Sequence, residues 1–163
     1  MATLRKSFQE GHHRKFLVVI DDTPECDRAV VYAAHRVSRS GGALVMLYVI
    51  APGDFQHWIG VENIMRAEAN EVAEEALRKH SERALQACGI TAETIVREGS
   101  RAEVIFDLIE DDEDIAILVL ASGTDKEGPG PLVSSIAGGS GQFPIPVTIV
   151  PGTLSDEDIA ALA

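Results

Sequence analysis

Short runs of apolar residues, separated by stretches of mixed polarity, are the main feature of this chain. Two of them, residues 16–20 and 115–120, are made almost wholly of aliphatic residues and stop abruptly at Asp21 and at Ala121. Runs of this length are typical of parallel strands that are buried on both faces. Because ligands of open α/β sheets bind where such strands end, the two strand ends predict the place of a functional site.

The stretches between the apolar runs carry helical signals. Apolar residues recur there at helical spacing, and glycines stand where two of the predicted helices end. Alternation of strand and helix implies right-handed crossovers. The sequence therefore predicts an α/β fold with a single doubly wound five-stranded parallel sheet and helices on both faces. The predicted strands are residues 16–20, 43–50, 91–97, 115–120 and 146–150, and the predicted helices begin at about Thr23, Val61, Ser100 and Leu132.

Length and composition fit one domain. The chain has 163 residues, of which 45% are hydrophobic and 25% charged, so it can bury one full core. We predict a disordered basic leader over residues 1–14, an α/β domain over residues 15–151 and a polar tail over residues 152–163. In the tail, Ser155 followed by Asp158 predicts a short capped helix.

The charge balance excludes several classes of partner. A formal net charge of −12 opposes binding to nucleic acid and to anionic membranes. No apolar run approaches the ~20 residues of a membrane span, so we expect a soluble, cytoplasmic protein. Cys26 and Cys88 lie in separate predicted helices and are expected to be free thiols. We interpret the acidic run at residues 110–114 as a solvated turn and the His12-His13 pair as solvated rather than metal-binding.

The end of the first strand is compatible with a receiver domain. In such a domain paired acids like Asp21 and Asp22 hold magnesium beside a phosphorylated aspartate. A receiver also needs that aspartate at the end of its central strand and a lysine at the end of a late strand. Residues 48–51 contain no aspartate and residues 117–122 contain no cation, which excludes this interpretation.

The order of the segment ends over residues 15–151 instead resembles the universal stress protein family. The first strand ends in Asp21, the second ends in Tyr48-Val49-Ile50, and Gly99-Ser100 follows the third. The last strand opens with a Pro-x-Pro-Val pattern at residues 144–147. No one of these features is specific, but their order is.

The resemblance implies an adenine nucleotide at the edge where the strands end. Nucleotide-binding members of the family carry Gly-x-x-Gly, nine further residues and then Gly-Ser or Gly-Thr after the fourth strand. On this chain the four places fall on Ala121, Thr124, Ser134 and Ser135, so small residues replace the glycines and only the last hydroxyl is kept. Gly123 stands displaced within the same loop.

The resemblance also implies a role for each site residue. Asp21 would hold the ribose or the adenine through its carboxylate, and Val49 would present its backbone to the adenine. The phosphates would be held by residues of the loop after the fourth strand and of the helix that follows it, namely Ala121, Ser122, Gly123, Thr124, Ser134 and Ser135.

These observations predict a small regulatory stress-response protein that binds ATP or AMP, with magnesium, without turning over a substrate. A dimerisation or adaptor module of the same fold that binds no nucleotide is the alternative. A slow nucleotide hydrolase is the third hypothesis. It ranks last because no residue pattern supplies a positioned base for water. The apolar terminal strand Pro146–Val150 further predicts a homodimer that pairs through this edge.

Overall fold

A computed structural model describes residues 3–52, 62–124, 133–134, 136 and 143–163. The elements in chain order are β1 (Lys15–Ile20), α1 (Cys26–Ser40), β2 (Ala43–Ile50), α2 (Glu62–Cys88), β3 (Glu93–Glu98), α3 (Arg101–Asp111), β4 (Ile115–Ser122), β5 (Val147–Pro151) and α4 (Asp156–Leu162). The strands form one five-stranded sheet in the order β3-β2-β1-β4-β5, and all of its pairings are parallel. The predicted fold class is confirmed.

Alternate residues of β1 belong to two separate parts of the core. Val18 and Ile20 pack with the apolar sides of α1 and α2, whereas Leu17 and Val19 pack with α3. Successive side chains of a strand point to opposite faces of the sheet, so a strand covered by helices on both faces must be apolar throughout. This explains the continuous apolar run in the sequence.

The long helix α2 packs on the core through a narrow stripe of buried side chains. Ala73, Leu77, His80 and Ala84 are buried, as the helical spacing predicts. The helix ends at Gly89, whose φ of 69° lies in the left-handed region that favours glycine. No helix in the described ranges is both long enough and apolar enough to span a membrane.

Residues 3–14, which the sequence predicts to be a disordered leader, pack in the structure against the end of α3. Arg5 Nη1 donates hydrogen bonds to the carbonyl oxygens of Ile109 (2.5 Å), Asp112 (3.1 Å) and Ile115 (3.3 Å). The last carbonyls of a helix lack partners within the helix and attract cations. The guanidinium therefore caps α3 from a segment about a hundred residues away, which no local pattern in the sequence reveals.

The acidic run at the end of α3 also differs from its prediction as a solvated turn. Glu110 and Asp111 form the last residues of the helix. Asp111 pairs with Arg97 of β3 (3.3 Å), and the other carboxylates of the run have partners among residues 3–15. Glu110 Oε2 accepts hydrogen bonds from the backbone N–H and the hydroxyl of Thr3, and these bonds lower its pKa. The other pairs are Lys15 with Asp112 (2.7 Å), Lys6 with Glu113 (2.8 Å) and His12 Nδ1 with Asp114 (2.7 Å).

The C-terminal helix α4 is fixed against α1. Ser155 and Asp158 form the predicted capping box, in which each side chain accepts a hydrogen bond of 3.0 Å from the other residue's backbone N–H. Ile159 is fully buried. Arg28 of α1 (2.7 Å) and Arg83 of α2 (3.0 Å) both donate to Asp156, and these hydrogen bonds lower the pKa of its carboxyl group.

Candidate functional site

The carboxyl end of β1 is unpaired on the side of β4, and we place the candidate crevice there. β1 pairs with β2 as far as Ile20, opposite Tyr48, but with β4 only as far as Val18, opposite Val119. β4 then continues to Ser122 and pairs there with β5. The sheet is wound in opposite directions on the two sides of this gap, which is where open α/β sheets bind ligands.

Asp21 lies at the β1 side of the crevice. It follows the last residue of β1, and its Oδ1 accepts hydrogen bonds from the backbone N–H (2.9 Å) and the hydroxyl (2.5 Å) of Thr23. These bonds hold the carboxylate at the edge of the sheet. α1 begins at Cys26 with Glu25 as its N-cap, so the prediction of Thr23 as the N-cap is wrong.

Val49 lies in β2, one residue beyond the last residue of β2 that pairs with β1. Its side chain is 4% exposed and packs in the core on the α3 side of the sheet. The side chain is therefore not available to a ligand at the edge. The main chain of Val49 is the part that can contact such a ligand.

The end of β4 lies across the crevice from Asp21. Ala121 and Ser122 are the last residues of the strand, and Gly123 and Thr124 follow. None of the described non-glycine residues has a positive φ, so Ala121 and Thr124 adopt this backbone without strain. Gly123 also lies outside the left-handed region.

The chain that leaves β5 closes this edge from the other side. A Cβ atom added to Gly152 would lie 2.5 Å from the carbonyl oxygen of Ser122, 3.0 Å from Cβ of Glu25 and 3.1 Å from Cγ2 of Thr124. Only glycine fits so close an approach. Gly152 is not among the predicted site residues, although the Pro151-Gly152 pair is a turn signal.

The two predicted serines after the loop have different outcomes. Ser134 is exposed on a helical turn, while Val133 and Ile136 on either side of it are buried in the core next to α3. Ser135 lies outside the described residues. The structure thus brings Asp21 and residues 121–124 to one edge of the sheet.

The described part of this edge is acidic. Asp21, Asp22 and Glu25 all lie between β1 and α1, and residues 121–124 carry no charge. Negatively charged side chains repel phosphate groups, and the repulsion grows with the number of phosphates in the nucleotide. Within the described ranges no group of three or more potential ligands could hold a metal ion.

A cavity, which we call the α2 cleft, lies between the loop after β1 and α2. Its volume is about 650 Å³. His80 of α2 lines it, is 5% exposed, and has an Nδ1 atom without a hydrogen-bond partner. Burial and the neighbouring Lys79 lower the pKa of His80, against a smaller opposite effect of nearby aspartates. The described residues that line the α2 cleft are Asp21, Asp22, Thr23, Glu68, Glu71, Val72, Glu75, Ala76, Lys79 and His80.

The surroundings of the two cysteines do not indicate a function for either thiol. Both are free thiols, as predicted. Burial raises the pKa of Cys26 to about 12, and its Sγ lies 3.8 Å from the carbonyl oxygen of Val19. A thiol that stays protonated is a poor nucleophile, so Cys26 is a packing residue.

Comparison with protein families gives one match over most of the chain. The model described as the universal stress protein family matches residues 12–151. The structural elements described above therefore lie almost entirely within the matched region. No protein with a curated description is similar enough to count as a match.

Solved structures share the fold at low sequence identity. The universal stress protein UspA from Lactobacillus plantarum has 18% identity and a TM-score of 0.68, over 84% of this chain and 97% of the other. A universal stress protein from Archaeoglobus fulgidus in complex with dAMP has 16% identity and a TM-score of 0.59, over 85% and 98%. An Arabidopsis thaliana protein of the family with AMP bound has 18% identity and a TM-score of 0.56, over 88% and 94%.

Proposed function

The chain belongs to the universal stress protein family, and we propose that it is a regulatory stress-response protein that binds an adenine nucleotide in the crevice between β1 and β4. The observation that carries the proposal is the early end of the β1–β4 pairing beside the Asp21 carboxylate. Relatives with the same fold are known in complex with dAMP and with AMP. The nucleotides bound by these relatives and the position of the crevice both support the proposal.

In this proposal the Asp21 carboxylate holds the sugar. A carboxylate offers about four acceptor positions, and Thr23 occupies only one of its two oxygens. The remaining oxygen can accept hydrogen bonds from the ribose hydroxyls. The main chain of Val49, which extends beyond the end of β1, would then meet the edge of the adenine ring.

The phosphate side depends on hydroxyls and backbone amides. Ser122, Gly123 and Thr124 lie at the end of β4, Ser134 lies on a helical turn, and Ser135 follows it in sequence. Backbone N–H groups at the start of a helix attract anions. Because the described edge is acidic, AMP should bind more tightly than ATP when magnesium is absent, and magnesium should reduce the difference.

Binding without turnover is part of the proposal. Phosphoryl transfer needs positive charge to stabilise its transition state and a residue to orient water. Asp21 and residues 121–124 supply neither.

Calorimetry of the full chain with AMP and with ATP tests the proposal. We expect Asp21→Ala to weaken AMP binding roughly tenfold or more, since a hydrogen bond to a charged group contributes about 1.5–3 kcal/mol. Asp107→Ala, which removes an exposed acid of α3, is the matched control and should bind as the wild type does. Ser135→Ala should weaken binding by a similar factor if its hydroxyl holds a phosphate.

Two results would contradict the proposal. Absence of binding by the wild type at millimolar AMP and ATP would leave the dimerisation or adaptor module as the function. Binding that Asp21→Ala and Ser135→Ala both leave unchanged would put the nucleotide elsewhere on the protein.

A further inference from the structure

The C-terminal helix α4 is connected to the edge of the sheet that carries the proposed nucleotide site. β5 ends at Pro151, which pairs with Ser122 at the end of β4. Residues 152–155, which we call the edge linker, then lead from this edge to the start of α4. The edge linker and α4 follow residues 12–151, the region that the family model matches, so membership of the family assigns them no role.

The edge linker packs closely against residues that the proposed function assigns to the phosphates. Gly152 approaches them so closely that a Cβ atom there would lie 2.5 Å from the carbonyl oxygen of Ser122 and 3.1 Å from Cγ2 of Thr124. At such separations the two segments are in direct contact, and a shift of one changes the space that is open to the other. The position of the edge linker therefore affects residues 122–124.

Arg28 of α1 holds both the edge linker and α4. Its Nη1 donates a hydrogen bond of 3.0 Å to the carbonyl oxygen of Leu154, and its Nη2 pairs with Asp156 Oδ1 at 2.7 Å. Arg83 of α2 also pairs with Asp156, at 3.0 Å. Because one guanidinium contacts both segments, a movement of α4 away from α1 would disturb the contact with the edge linker at the same time.

The docked position of α4 depends on few contacts. The helix has seven residues, and helices shorter than about 12–15 residues are marginal in water without packing partners. Ile159 is fully buried, whereas the side chain of Asp156 is 61% exposed, so its ion pairs are weak. An element of this kind can be released while the sheet stays folded.

We propose that α4 regulates the proposed nucleotide site, a role that rests on the proposed function and extends it. When α4 is docked, the edge linker holds residues 122–124 in the geometry that binds the phosphate. When α4 is released, this order is lost, and the nucleotide must restore it at the expense of affinity. Linkage is reciprocal, so a bound nucleotide must stabilise docked α4 by the same factor.

Calorimetry of the full chain with AMP tests this regulation. Ile159→Ala removes the buried contact of α4 and should weaken AMP binding at least about fivefold, the lower end of typical couplings between sites. Leu162→Ala is the matched control, because it truncates an aliphatic side chain of the same helix that is 65% exposed, and it should bind AMP as the wild type does. Asp156→Ala should also weaken binding, whereas Glu157→Ala, which removes an exposed acid of the same turn, should not.

Hydrogen exchange of the nucleotide-free chain, read by mass spectrometry, separates this role from nucleotide binding itself. Ile159→Ala should speed exchange in α4, in the edge linker and in residues 122–124, whereas Leu162→Ala should leave all three as in the wild type. Addition of AMP to the wild type should slow exchange in α4.

Faster exchange of α4 alone in Ile159→Ala, with residues 122–124 unchanged, would overturn the regulation by α4. An AMP affinity that Ile159→Ala leaves equal to that of the wild type would overturn it as well. Absence of AMP binding by the wild type would instead refute the proposed nucleotide site, and the exchange of residues 122–124 would still show whether α4 holds the edge linker in place.

Discussion

His80 should make the stability of the protein depend on pH. Burial and Lys79 lower its pKa below the usual 6.5, against the opposite effect of Asp27 and Asp21. The unfolded chain therefore binds the proton more readily than the folded protein, and stability is lost as the pH falls below about 6.5. We expect His80→Gln to flatten this decline, measured by urea unfolding at a series of pH values between 7 and 5.

The control for this prediction is His35→Gln. The pKa of His35 is also lowered, by burial and by Arg39, but this residue is only partly buried. Its replacement should change the slope less than His80→Gln does. The depressed pKa values of Asp27 and Asp156 affect stability at more acidic pH, below their usual value of 3.8, and so outside this window. A decline that His80→Gln leaves intact would contradict the assignment.

At the scale of elements, periodicity was sufficient for the strands and helices but not for the contacts between remote segments. The described strands and helices, from β1 to α4, begin within three residues of the predicted positions where these were given. The docking of residues 3–14 was missed because Arg5 meets its partners through tertiary contacts alone. The same holds for the crevice, which results from the register of β1 against β4.

Arg5 should hold the N-terminal segment against α3. Replacing it with alanine removes hydrogen bonds to three carbonyl oxygens, and because the site is partly exposed we expect a loss of roughly 1 kcal/mol in the free energy of unfolding. The clearer effect should be local. The backbone N–H of Lys6, which donates to the Glu113 carbonyl at 3.0 Å, should exchange its hydrogen faster.

Lys6→Ala is the control, since it removes only a surface ion pair with Glu113. Hydrogen exchange read by mass spectrometry should show much less deprotection of residues 3–14 in this variant than in Arg5→Ala. Equal exchange in the two variants would mean that Arg5 does not fix the segment.

For the whole molecule, the two edges of the sheet differ in a way that favours one mode of self-association. The outer strand β3 carries Glu93, Arg97 and Glu98, and charges of this kind protect an edge from pairing. The other outer strand, β5, has no charged residue, and Ile149 is 41% exposed. We therefore expect a homodimer related by a two-fold axis along β5.

Light scattering coupled to size exclusion tests this arrangement. The wild type should have the mass of a dimer, and Ile149→Lys should convert it to a monomer by placing like charges at the interface. Thr94→Lys adds the same charge to the exposed face of β3 and should remain dimeric. A wild-type monomer, or a dimer that only Thr94→Lys disrupts, would contradict the prediction.

The early end of the pairing between β1 and β4 also bears on how such a protein changes over generations. The crevice is set by strand length and register, whereas folding depends on the side chains buried on the two faces of the sheet. A lineage can exchange an exposed residue at this edge, such as Thr124, without disturbing the packing of the core. Selection for a ligand and selection for the fold thus act largely on different residues, and affinity can be gained or lost while the scaffold is inherited.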